Sequence, residues 1–183
     1  MIKIVPYTAC AFADKCKQID TIFDETSITP PLAGTPERIE FHWRWLGRYL
    51  TEEPEHSFLA VAENTRIAGY LVGSIADPAQ RPEFDDLNYF RAFAHITPLY
   101  PAHFHINIAH DMRSSGVGAQ LVTAFAAHAL GHGAAGMHIV TGKGMRNVDF
   151  YLRNGFQELA STTNKGREVI LLARALGNEK SMV

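Results

Sequence analysis

Residues 105–122 read HINIAHDMRSSGVGAQLV. An apolar strand-like run gives way to polar and small residues. Val117, Leu121, Phe125 and Ala129 then recur at helical spacing. A helix leaves its first backbone N–H groups unpaired and carries partial positive charge at that end. Ser114, Ser115, Gly116 and Gly118 place little bulk in front of those amides, so an anion can approach them closely. The turn therefore reads either as a cradle for a phosphate or pyrophosphate or as a plain tight turn between strand and helix. A P-loop would need Gly-Lys-Ser/Thr, and a dinucleotide fingerprint a third glycine early in a βαβ unit; neither is present.

Working outward, a strand is expected over 2–7 and a helix over 11–23. The Pro- and Gly-rich stretch SITPPLAGTPER, residues 27–38, reads as a loop. Thr35-Pro36-Glu37 is a helix start, and Ile39, Trp43, Leu46 and Leu50 mark its expected buried face. Strands over 57–62 and 67–75 form a hairpin across the polar turn 63–66. Residues 77–101 read as an excursion from the sheet, with a helix inside 83–93. A strand over 103–109, the helix over 116–130 and a strand over 137–141 follow. A short helix over 148–154 ends at Gly155, and a last hairpin turns at Asn164-Lys165-Gly166. The order predicts one α/β domain over 1–176, with six or seven strands in a mixed sheet flanked by about four helices, and a flexible tail over 177–183.

The 183 residues suffice for one domain with a real core. A net charge of −2 predicts no bulk attraction for nucleic acid or anionic membranes. No apolar stretch approaches the roughly 20 residues of a spanning helix, and the first residues, MIKIVPYTAC, lack the apolar core of a signal peptide. A soluble, cytoplasmic protein is the expectation. Cys10 and Cys16 have neither redox nor zinc-knuckle spacing and read as free thiols.

Arg113-x-x-Gly116-x-Gly118 between strand and helix, followed by Phe150-Tyr151-Leu152-Arg153-Asn154-Gly155-Phe156, resembles the two signature segments of the GNAT superfamily of acyl-CoA-dependent N-acetyltransferases. The hairpin carrying Arg66-Ile67-Ala68-Gly69-Tyr70-Leu71-Val72-Gly73 is similar to that family's second and third strands, so the likeness covers nearly the whole chain. Leu99–Asn107, read LYPAHFHIN, is similar to the acetyltransferase-like domains at the C-termini of O-GlcNAcases and their free-standing bacterial relatives, where an Asp tends to stand at the place of Asn107.

The resemblance implies that backbone amides near Ile108 and at Met112, Arg113, Ser114, Ser115, Gly116, Val117 and Gly118 hold the pantetheine and pyrophosphate of acetyl-CoA. It implies that Tyr151 protonates the leaving thiolate; read by itself, Tyr151 is also a core aromatic at the start of the Tyr-Leu-x-x-Gly-Phe packing unit. Where the family often has a coenzyme-contacting Asn, seven residues before that Tyr, this chain has Gly144; Asn147, one turn on, is the candidate substitute. For the general base, His103, His105 and Asn107 share one strand face by period two. Each reads equally as a sheet or core polar group, and a water chain is the further alternative. A zinc site from His103 and His105 finds no third ligand nearby, so no metal is expected.

These readings make the chain an acetyl-CoA-dependent N-acetyltransferase acting on an amine of a small molecule or protein. The alternative is a non-catalytic acyl-CoA-binding domain, to which Asn107 and Gly144 point. Homodimers are common in the family, so the resemblance leaves a homodimer open.

Overall fold

The computed structural model describes residues 1–28 and 30–177. Along the chain come β1 (Ile2–Pro6), α1 (Lys15–Thr26), α2 (Pro36–His42), a π-helical turn (Trp43–Gly47) and α3 (Arg48–Glu52). Next are β2 (Phe58–Ala62), β3 (Ile67–Ser74), α4 (Tyr89–Ala92), β4 (Ala102–Ile108) and α5 (Val117–Gly131). Then follow β5 (Gly136–Gly142), α6 (Asn147–Arg153), β6 (Gln157–Asn164) and β7 (Arg167–Ala175). The seven strands make one mixed sheet in the order β1-β2-β3-β4-β5-β7-β6. β4 and β5 pair in parallel, while β1–β2, β2–β3, β5–β7 and β6–β7 pair antiparallel. This is the mixed α/β sheet the sequence predicts.

The described residues fall into two compact units: Met1–Gly73 with His105–Phe125, and Ser74–Phe104 with the described residues from Ala126 to Gly177. In the first unit all of β3 is buried, as its unbroken run Ile67-Ala68-Gly69-Tyr70-Leu71-Val72 requires. Gly69 is there for a close approach: a Cβ would lie 2.6 Å from Ile108 Cδ1 and 2.9 Å from the Asn107 carbonyl oxygen. Val117, Leu121 and Phe125 of α5 are buried, as their spacing predicts. α1 begins at Lys15 instead of residue 11. Lys15 Nζ donates to the carbonyls of Cys10 at 2.6 Å and Tyr7 at 3.2 Å, which holds the preceding residues outside the helix.

The stretch after the loop corrects one expectation. Thr35 does cap α2, accepting from the Arg38 N–H at 3.3 Å. Yet Ile39 is 70% and Trp43 43% exposed, whereas Leu46, Arg48 and Tyr49 are buried. The cause is the π turn, which takes an extra residue per turn and rotates all that follows out of 3.6-residue phase.

In the second unit, the 74–104 segment forms short 3-10 turns and the four-residue α4 in place of one helix over 83–93. Its aromatic residues Phe84 and Phe90 fold inward around His103 and His138, with ring centroids between 4.9 and 5.7 Å apart. That inward gathering uses turns better than a straight stripe. β6 is largely exposed along one edge of the sheet and carries a register irregularity at Glu158/Ala160, a device that spoils edge-to-edge pairing. Its turn to β7 has Lys165 at φ 48° and Gly166 at φ 74°, the pair of left-handed residues that a two-residue hairpin demands. Of the tail expected over 177–183, all but Gly177 lies outside the described residues.

Candidate active site

The glycine turn lies between β4 and α5. Ser114 and Gly116 both have left-handed backbone, φ 62° and 84°, and a Cβ placed on Gly116 would meet nothing within 4 Å. Alternating left-handed residues aim successive amides to one side, forming an anion-binding concavity. The first N–H of the region with a helical partner is that of Gln120, donating to Gly116 O at 3.2 Å. The amides of Val117, Gly118 and Ala119 thus stand at the open positive end of a 15-residue helix. Two of the expected amides are otherwise engaged: Met112 N–H donates to Ala109 O at 2.9 Å and Arg113 N–H to His110 O at 3.4 Å. The 3-10 turn His110–Met112 takes them, so the cradle begins at Ser114. Ser115 Oγ donates back to Met112 O, holding the turn closed. The donor set fits the pyrophosphate of a coenzyme: backbone amides at a helix start, with no bulky side chain before them.

Upstream in the same unit, His105 and Asn107 do share a strand face but have different partners. His105 Nε2 lies 3.1 Å from Tyr49 Oη, and its ring meets Trp45 edge-on at 4.9 Å and Tyr49 at 5.3 Å. Burial among these rings, and next the Arg48 cation, hold its pKa down at about 4, so the imidazole is neutral at pH 7. Asn107, expected near the chemistry, has its Nδ2 committed to Thr26 Oγ1, which in turn donates to Ile22 O at 2.6 Å. Its amide ties β4 to the end of α1. Ile108 is placed by the Gly69 contact, and the next amide, of Ala109, donates to Ala68 O at 3.0 Å.

A cleft of about 330 Å³ in this unit is lined by Gln18, Glu25, Arg66, Ala109, His110 and Asp111. Arg66 and Asp111 form a 2.7 Å ion pair at its rim, exposed to water. Tyr49, Trp45 and Arg66 were not singled out from the sequence. Trp45 and Tyr49 stand four apart, as one helix face places them, but the meeting of Tyr49 with His105 joins residues 56 apart and the Arg66–Asp111 ion pair residues 45 apart.

In the second unit, Tyr151 is buried, 6% exposed, with its ring 5.6 Å from Phe156 and 6.2 Å from Phe104. Burial raises its pKa, so the hydroxyl keeps its proton throughout the neutral and mildly alkaline range. Asn147 opens α6 and is exposed, and its Oδ1 accepts from Thr141 Oγ1 at 3.0 Å. Gly144 sits in the preceding turn at φ 74°, a conformation glycine takes at no steric cost. His103 is buried in the aromatic nest of this unit, its ring 4.9 Å from Phe84 and 5.5 Å from Phe90. Among the described residues, no group of three or more His, Cys, Asp or Glu is placed to hold a metal ion, and no helix is long and apolar enough to cross a membrane.

The sequence pattern of the Acetyltransferase (GNAT) family matches residues 19–156, which include both the glycine turn and the Tyr151 segment. The chain belongs to that family. Among solved structures, SsHAT is similar at TM-score 0.73 and 21% identity, over 97% of this chain and 99% of that one. Ard1 from Thermoplasma volcanium is similar at TM-score 0.60 and 16% identity, over 97% and 99%. A chain of the NatC complex bound to Gag peptide and CoA is similar at TM-score 0.64 and 13% identity, over 96% and 99%. At these identities the likeness is one of fold. No curated protein sequence matches the chain.

Proposed function

We propose that this protein is an acetyl-CoA-dependent N-acetyltransferase that passes an acetyl group to an amine of a small molecule or protein. The observation that carries the reading is the turn at Ser114 to Gly118, where the first amides of α5 have no helical partner and follow two left-handed residues. These amides hold the pyrophosphate, Asn147 replaces the coenzyme contact absent at Gly144, and Arg113 adds positive charge near a phosphate. The amine nitrogen attacks the thioester carbon, a C–N bond forms and the C–S bond breaks. The nitrogen loses its proton and the thiolate gains one, the latter from Tyr151. The fold-level neighbours that include a complex with CoA and peptide support this reading.

The stretch 99–107 favours kinship with the acetyltransferase-like domains of O-GlcNAcases. A cytoplasmic setting, a single functional domain and a homodimer complete the proposal; nucleic acid and membranes have no part in it. One observation favours a second reading, a non-catalytic acyl-CoA-binding domain: Asn107 offers no carboxylate, and its amide is committed to Thr26.

Calorimetric titration with acetyl-CoA, followed by free-thiol release across a panel of amines, tests both. Micromolar binding with thiol release supports the enzyme. Binding without release under any amine supports the second reading. Absence of binding overturns both.

A further inference from the structure

Ten large apolar side chains are exposed among the described residues, and four of them, Ile28, Leu32, Ile39 and Trp43, fall within sixteen residues. Scattered singly, such residues need no explanation; gathered on one face, they mark a contact surface. The gathering has local causes. Pro36, Ile39 and Trp43 follow one another at i, i+3 and i+7, one exposed stripe along α2 and into the π turn. Ile39 is the fourth helical residue, which a side chain just before the cap often covers, but that place is Gly34. Leu32 is drawn to the same helix start, its carbonyl accepting from the Thr35 N–H at 3.3 Å and from Thr35 Oγ1 at 2.9 Å. Trp43 lies against Gly47, where a Cβ would come within 3.2 Å of its Cε3, so the missing side chain gives the indole room along the helix.

The free charge beside the stripe has one sign. Glu37 and Glu40 are exposed and make no ion pair among the described residues. Glu37 suits the positive end of α2, as an acid in the first turn does, but Glu40 has no such use. Over residues 20–44, Asp20, Asp24, Glu25, Glu37 and Glu40 stand against Arg38 and Arg44, a net of −3 where the whole chain carries −2. Both cations are drawn in: Arg38 pairs with Asp24 and lies over the rings of Phe23 and Phe41, and Arg44 is half-buried.

We propose that the stripe of Leu32, Pro36, Ile39 and Trp43 is a docking face for a basic amphipathic helix of another protein. Apolar residues of that helix at i, i+3 and i+7 lie on Ile39 and Trp43, and its Lys or Arg flank meets Glu37 and Glu40. The acids choose the occupant. An acidic helix would meet like charge. A second copy bound about a two-fold axis would set this patch against itself, acids on acids. The proposal does not rest on the transferase reading, since no residue of the stripe is assigned to the coenzyme or to acetyl transfer.

Three tryptophan-free synthetic peptides of about five helical turns test it. One has Leu at every a and d position with Arg on the flanks; the second has Glu for each Arg; the third has Ser for each Leu. Binding is read from the protein's tryptophan emission at about physiological ionic strength. The expected result is a blue shift with the Leu/Arg peptide that Trp43→Phe abolishes, and an affinity at least about tenfold above that of either other peptide. Ile39→Ser should weaken that binding about tenfold, and Glu37→Gln with Glu40→Gln should weaken it and flatten its salt dependence. The peptide comparison needs no variant to fold. Equal affinity for the Leu/Glu peptide, or wild-type affinity in Ile39→Ser, would overturn the proposal. So would a dimer in sedimentation that Ile39→Ser disperses, which would give the face to a second copy.

Discussion

The His138 ring stacks on that of His103, centroids 5.7 Å apart and planes 29° from parallel, with Nδ1 of His138 donating to the Tyr100 carbonyl. Nε2 of His138 has no hydrogen-bond partner, so a second proton there would enter an apolar nest. Burial chiefly, against a smaller opposing effect of the Tyr100 hydrogen bond, lowers its pKa from 6.5 to about 4. The unfolded chain therefore binds this proton more readily than the folded one. Stability is complete above about pH 6.5 and falls as the pH drops toward 4, where the loss reaches about 3 kcal/mol for this residue. His105 carries the same depression and adds to it. Thermal melts between pH 7 and 4 should show a falling Tm, and His138→Gln should flatten that limb. A constant Tm over the range would refute it.

Gly116 separates conformation from space. An alanine there would clash with nothing, yet φ 84° costs a β-carbon about 1–2 kcal/mol. Gly116→Ala should lower stability by that amount in urea melts. Gly116→Glu should cost little more in stability but, on the proposed reading, abolish acetyl-CoA binding by placing a carboxylate at the proposed phosphate position. Unchanged affinity in the glutamate variant would remove the pyrophosphate assignment.

Gly69 makes the opposite case, with space and not backbone angle as the limit. The Ile108 side chain could shift away from a new Cβ, but the Asn107 carbonyl oxygen belongs to the β4 backbone. Gly69→Ala should push β3 and β4 apart, cost about 1–3 kcal/mol and weaken coenzyme binding through the displaced turn. Denaturation with parallel calorimetry reads both effects.

Tyr151→Phe keeps the ring against Phe104 and Phe156 and removes only the hydroxyl. Turnover should fall about 10- to 100-fold while Tm and acetyl-CoA affinity stay nearly constant. Because burial raises the wild-type pKa, its rate should show no loss from phenol ionisation up to pH 9. A variant as fast as wild type would exclude Tyr151 as the acid.

Where local rules act alone, the sequence was readable. The Val117, Leu121, Phe125 stripe, the Thr35 cap, the left-handed Gly155 and the Asn164-Lys165-Gly166 turn all stand where residue chemistry puts them. Expectations failed where distant residues intervene. Lys15 delays α1 by binding carbonyls five and eight residues earlier, and the aromatic nest around His103 and His138 breaks the 83–93 helix. The candidate site was half legible for the same reason. Backbone amides at a glycine turn leave a spacing signature, while the pairing of Tyr49 with His105 spans 56 residues and leaves none.

The π turn at Trp43–Gly47 sets regular folding against site geometry. Removing one residue there would yield a smoother amphipathic helix, with Ile39 and Trp43 turned inward, and by local criteria a better sequence. It would also carry Tyr49 about 100° away from His105. The irregularity is thus a register setting: one surplus residue in a helix chooses which side chains reach the strand, and the length of this segment cannot drift without changing what the imidazole touches.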